Sequence, residues 1–252
     1  MHVDFLALPA QLAGRMQQLL LLSVPFGILE ALLPARRVQS RRTVLRDAAH
    51  VLVAIALTIP TTEAVYRWLI FPLLDYGFFN VEPDMPLPCQ LFLTLLGIDF
   101  SLYWIHRGLH SKLLWSTHRW HHSPREMYWL AGLRASFPHN FLFVANSLVW
   151  AVAMRVPPEW VAKGTFAAIL SNNWMHTNVR LNARWLETVL ITPRAHALHH
   201  SRNPQHHHGN FGAFLSIWDR LFGTYVDPCQ ITEPLEFGLP TPVPVARLII
   251  GI

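Results

Sequence analysis

Charge is scarce in this chain. Asp, Glu, Lys and Arg make up 14% of its 252 residues, against about a quarter in ordinary soluble domains. Cysteine is scarcer still. Cys89 and Cys229 lie far apart with no CxxC partner, which excludes a disulfide framework and a thiolate metal site. Both are expected to be reduced and structural. No RNP, zinc-finger or helix-turn-helix pattern accompanies the net charge of +5, so no nucleic-acid partner is expected. A charged, apolar and cleavable leader is also missing, and the first apolar run reads as an anchor that stays.

What is abundant is apolar surface. Hydrophobic residues reach 52%, with ten Trp and fifteen Phe, and the mean hydropathy is +0.27. The apolar residues fall into runs at about 19–33, 48–74, 87–105, 141–154 and 160–174. A full crossing needs about 20 residues at 1.5 Å each, so the shorter runs would tilt little or form a shallow hairpin. The expected fold is all-α, with about four membrane helices carrying a cytosolic helical domain. Residues 1–87 would be N-terminal anchor helices, 88–224 the catalytic core and 225–252 a C-terminal tail of one membrane-embedded domain.

Arginines orient it. The cluster Arg36, Arg37, Arg41, Arg42 and Arg46 should face the cytoplasm. Counting crossings from there puts Arg107, Lys112, Arg119, Arg125 and Arg134 on that side too. The last two runs, joined at Pro157-Pro158, form an out-and-back hairpin that returns residue 176 to the same face, in agreement with Arg180, Arg184 and Arg194.

Histidine is the other surplus. Thirteen of fifteen lie between His106 and His208. Three boxes stand out: His106-x3-His110, His118-x2-His121-His122 and His196-x2-His199-His200. On a helix, i, i+3 and i+4 share a face, so each box is expected to aim its imidazoles at one point. Neutral imidazole suits iron, zinc, copper and nickel, and eight ligands exceed the needs of one ion, so two metals are implied. One HxxxH alone would be an ordinary core pair; three boxes on one membrane face are not. His176 adds a ninth candidate ligand. His206, His207 and His208 read as a solvated run. His139 reads as an interface residue or one standing behind a ligand, and His2 and His50 lie outside the pattern.

Asp99 sits inside an apolar run, where an ionisable group is a functional candidate. It is two helical turns before His106. It would either accept a hydrogen bond from a ligand histidine or from Tyr103, orienting the site from behind, or be paired with a Trp, Tyr or backbone group.

The stretches DFSLYWIHRGLH (99–110), LLWSTHRWHHS (113–123), WMHTNV (174–179), ITPRAHALHHSRN (191–203) and NFGAFLSIWDRLFGT (210–224) resemble the sterol desaturase and fatty acid hydroxylase superfamily. The resemblance implies a helical membrane protein whose cytosolic di-iron centre activates O2 to hydroxylate or desaturate an unactivated C–H bond. The substrate would be a sterol, fatty acyl, carotenoid or ether lipid. It implies His106, His110, His118, His121, His122, His176, His196, His199 and His200 as ligands. Longer family patterns carry one more histidine at the position of Asn172, so Asn172 or a water would complete that metal's surroundings. No flavin, NAD or haem motif is present, so electrons would come from a separate donor such as cytochrome b5, or a ferredoxin with its reductase. A histidine-rich metal transporter is the alternative, but it should hold its ligands near the bilayer midplane. A zinc hydrolase would want a glutamate in an HExxH box, and no box has one.

Overall fold

The computed structural model describes residues 21, 24–36, 41–72, 85–181, 183–206 and 208–252. The acidic stretch Asp75, Glu82 and Asp84, residues 19, 20, 22 and 23 of the first apolar run, Arg37, His2 and His207 lie outside them. The described residues form helices and turns, with isolated bridges in place of strands.

Helix α1, Arg41–Val65, continues into a π-helical turn, Tyr66–Ile70. Pro60 lies in its interior, where proline removes one backbone donor. Around it Thr58, Thr61 and Thr62 turn their hydroxyls back onto the carbonyls of Ala54, Leu57 and Thr58 at 3.0, 2.6 and 2.8 Å, which satisfies them without water. Helix α2 is Leu87–Leu109, with proline in its first turn. Helix α3 is the short Trp115–His118. Helix α4, Phe137–Ala153, is capped by Ser136, whose side chain accepts from His139 N. Helix α5 is Pro158–His176. Helix α6, Pro193–His199, is capped by Thr192, which accepts from Ala195 N. Helices α7, Ile217–Leu221, and α8, Val245–Ile250, complete the order.

Two of these helices, Arg41–Ile70 and Leu87–Leu109, are long and apolar enough to cross a membrane; Phe137–Ala153 is apolar but shorter. Of the about four expected, two pass by length and composition among the described residues. Only 24% and 17% of the two apolar windows is buried, the exposure expected of helices facing lipid instead of a soluble core.

Helix α4 packs against both α1 and α2. The α2–α4 contact is close because Gly97 has no side chain: a Cβ there would stand 2.6 Å from the Trp150 ring. Ser101 seals the same contact, bonding Asn146 Oδ1 at 2.5 Å and receiving Trp150 Nε1 at 3.0 Å. The segment after residue 225 folds back over the core. Leu248 is buried with Ala54 and Trp120, and Arg119 bonds the carbonyl of Ile252.

Candidate metal centre

Two groups of buried or half-buried imidazoles meet where the apolar helices end. His106, His110, His118, His122 and His199 form the first; His121, His176, His196 and His200 form the second. Within each group the candidate ligand atoms all lie within 4.8 Å of one another. His106 lies in the last turn of α2 and His110 is its C-cap. His118 ends α3, His176 ends α5, and His196 and His199 lie in α6 with His200 as its C-cap.

The boxes do not each aim at one point, contrary to the expectation from helical spacing. The i,i+4 pairs His118/His122 and His196/His200 stay together, while the i+3 members, His121 and His199, go to the other group. Each HxxHH box therefore serves both clusters. His122 and His200, from different clusters, stack at 4.2 Å and 17°, so the clusters abut.

The ring nitrogens show what these clusters fit. His106, His121, His176 and His199 each place Nδ1 against a backbone carbonyl, of Phe211 (2.8 Å), Arg134 (3.1 Å), Asn172 (2.6 Å) and Gly209 (2.9 Å). A carbonyl only accepts, so each Nδ1 carries the proton and each Nε2 is a bare lone pair. His176 Nε2 and His121 Nε2 nevertheless face each other at 3.2 Å. His196 and His200 Nε2 stand 3.0 and 3.2 Å from the same atom. His199 Nε2 is buried and has no hydrogen-bond partner among the described residues. Converging lone pairs repel unless a cation sits among them, so the donor set fits a metal ion in each cluster. Burial, reinforced by neighbouring imidazoles, holds His118, His121, His122, His196, His199 and His200 well below the usual histidine pKa. They are neutral at pH 7, which is the ligand form.

Several supports behind these rings were not legible beforehand. Arg134, whose carbonyl orients His121, is buried in an ion pair with Asp47 and donates to Ser123 Oγ at 2.8 Å. Tyr128 donates to the other oxygen of Asp47 at 2.9 Å. Asp219 accepts from the backbone of Phe211 and Gly212, both at 2.8 Å, and from Thr224 at 2.7 Å, holding the loop that faces His106. Glu187 accepts from Thr192 at 2.8 Å and from Arg194 at 3.0 and 2.7 Å, fixing the start of α6. Gly132 lies flat against His176. Asp219, Thr192 and Arg194 lie inside the stretches quoted above, but no spacing marks them or their partners as supports.

The expected supports land differently. Asp99 accepts from Leu215 N at 3.1 Å and Trp218 Nε1 at 2.8 Å, not from a box histidine or Tyr103: it is the Trp-and-backbone pairing, and acts on the 209–224 segment. Tyr103 bonds Thr224 at 2.9 Å and receives Arg107 at 3.1 Å, reaching the site through Thr224 and the Phe211 ring instead of a ligand histidine. Asn172 turns its side chain away, to Gly132 O at 3.2 Å, and supports His176 through its carbonyl. His139 places Nδ1 3.1 Å from His118 Nδ1, behind a cluster member. His206 is a correction: it is buried, bonding Ser201 at 3.0 Å and facing Glu233 at 3.3 Å, because the chain after α6 folds over it. His208 is exposed and lines an opening with His110, Lys112 and Trp115.

Fold and site together define a helical protein with two abutting all-histidine clusters, each of which could hold a metal ion. Residues 91–224, more than half the chain, match the family described as fatty acid hydroxylase. The chain belongs to that family, within the sterol desaturase and fatty acid hydroxylase superfamily. It is 36% identical to alkylglycerol monooxygenase of Xenopus tropicalis over 73% of its length, and 32% identical to that of Homo sapiens over 74%. In each case it spans 39% of the relative. It is 29% identical to ornithine lipid hydroxylase OlsE of Rhizobium tropici, over 80% of this chain and 64% of that one. No solved structure matches it.

Proposed function

We propose that this chain uses O2 to oxidise an unactivated C–H bond of a membrane lipid at a centre of two irons. His106, His110, His118, His122 and His199 would hold one ion; His121, His176, His196 and His200 would hold the other. The observation that carries this reading is the pair of abutting all-imidazole clusters at the end of an apolar helix. Iron bound there supplies the redox capacity to activate O2. The chain's own residues keep the imidazoles neutral, fix their tautomers through the four carbonyls, and exclude water by burial. Hydroxylation is favoured over desaturation because alkylglycerol monooxygenase is the more similar relative, at 36% identity against 26% for a sterol desaturase of Schizosaccharomyces pombe. A separate one-electron donor, such as cytochrome b5 or a ferredoxin with its reductase, would reduce the site.

The membrane arrangement belongs to the same proposal. Helices α1 and α2 cross, α4 and α5 form a shallow hairpin, and the site faces the cytoplasm. His106 and His176 at the ends of α2 and α5, with His139 in the first turn of α4, support one shared face. Residues 88–224 would be the catalytic core, 1–87 the anchor and 225–252 the tail. The test is iron per chain after anaerobic loading, with O2 consumption on lipid extracts. Two irons and a lipid product carrying one more oxygen are expected, and His121→Ala should lose one iron and turnover. Fewer than two metals at full loading would sink the di-metal reading.

A further inference from the structure

The segment that walls the first cluster has an outer face unlike a water-exposed one. Helix α7 turns Asp219 inward, with Ser216 buried beside it. Ile217 and Leu221, one helical turn apart on one face, point outward with exposures of 42% and 65%, flanked by Phe214 at 51% and Phe222 at 37%. A solvated helix would be polar there. The one outward cation, Arg220, is folded back: it donates to Glu187 O at 2.8 Å and lies 3.7 Å over the Tyr225 ring.

What covers this face is indicated by what it continues. The segment is tied along the flank of α2. Trp218 meets Phe100 at 5.0 Å, Phe222 meets Trp104 at 4.8 Å, and Asp99 accepts from Leu215 and Trp218. Phe100 and Trp104 are themselves exposed, at 37% and 43%, on a helix apolar enough to span a membrane. Asp99 precedes the helix end at Leu109 by a rise of about 15 Å, so the segment reaches well along the span. Arg107 over Trp104 at 5.4 Å is the pairing of an interfacial anchor.

We propose that residues 214–222 form a wedge seated in the bilayer beside α2, its apolar face in contact with acyl chains at the headgroup boundary. The wedge has a consequence for the site. The loop that leads into it presents the carbonyls of Gly209 and Phe211 to His199 and His106, so lipid contact braces one wall of the first cluster.

The proposal rests on the membrane reading above, and the test separates the two. In full-length chain with the exposed Cys89 and Cys229 replaced by serine, single cysteines Ile217→Cys and Leu221→Cys are labelled with an environment-sensitive fluorophore. The labelled chain is then reconstituted in phosphatidylcholine vesicles. Leu95→Cys, exposed on α2 at 56%, and Glu236→Cys, with a side chain 80% exposed, are the controls. Brominated acyl chains are expected to quench the labels at 217, 221 and 95 and to spare 236, with aqueous iodide doing the reverse. Quenching at 95 with iodide access at 217 and 221 would overturn the wedge and leave the membrane reading standing. Iodide access at 95 as well would overturn both. Shielding of 217 from both quenchers, with crosslinked dimers of the I217C chain, would mean that a second copy covers the face and would also overturn the wedge. Two reporter positions keep the test open if one variant does not fold.

Discussion

Gly132→Ala tests the second cluster with the smallest possible change. A Cβ at residue 132 would lie 2.3 Å from both Cγ and Nδ1 of His176 and 2.7 Å from Cε1. Carbon contacts are comfortable at about 3.5 Å, so the gap must open by about 1 Å. The atoms met are the root of a ring, not the tip of a flexible chain. That ring is 1% exposed and tied at Nδ1 to Asn172 O at 2.6 Å. Straining it in place costs about 1–3 kcal/mol, and breaking the Nδ1 bond costs a similar amount. A displaced His176 leaves the second cluster three of its four imidazoles. The combined loss of about 2–6 kcal/mol corresponds to roughly 30- to 20,000-fold weaker binding of that metal. The assay is metal per chain under graded chelator, where Gly132→Ala should lose one ion early and keep the other. The decisive arm is a double-mutant cycle. In His176→Ala the ring is gone, so adding Gly132→Ala should cost almost nothing further. Two ions held as tightly as in the wild type, or fully additive losses, would refute the steric argument.

Asp47→Ala should destabilise the chain by about 3–5 kcal/mol by leaving the buried Arg134 unpaired, and Asp47→Leu with Arg134→Met should recover much of it; a loss under about 1 kcal/mol in denaturant titration would contradict this. Asp219→Ala frees the backbone of Phe211 and Gly212 and should weaken the first metal while leaving the second, so chelator loss in the order opposite to Gly132→Ala is expected. Acid should weaken the metal-free fold. Six buried box imidazoles outside the apolar helices refuse protons that the unfolded chain accepts below about pH 6.5. Stability is therefore full above that value and falls as pH drops below it, by up to about 1.4 kcal/mol per proton per pH unit. Equal denaturation midpoints at pH 7.5 and 5.5 would sink this.

The sequence by itself determined that the chain is helical and rich in lipid-compatible surface, and that nine histidines are candidate ligands. Those properties are local: an apolar run of sufficient length, or an i,i+4 pair of imidazoles, carries its meaning in its own spacing. The same locality misled at the boxes, where sharing a helix face suggested one target per box. Tertiary structure decided which imidazoles cluster together, because packing of segments distant in sequence splits each HxxHH box between two clusters. It also decided the supports. Asp47 lies 87 positions from Arg134, and Gly132 reads as an ordinary turn residue until the His176 ring lies on it. Asn172, which departs from the longer family pattern, was visible in the sequence; that its carbonyl sets the His176 tautomer was not. Hydrogen bonds to backbone carbonyls leave no residue signature, since every residue has one. The orientation of the rings, and with it the metal-ready lone pairs, was fixed only by the packing of distant segments.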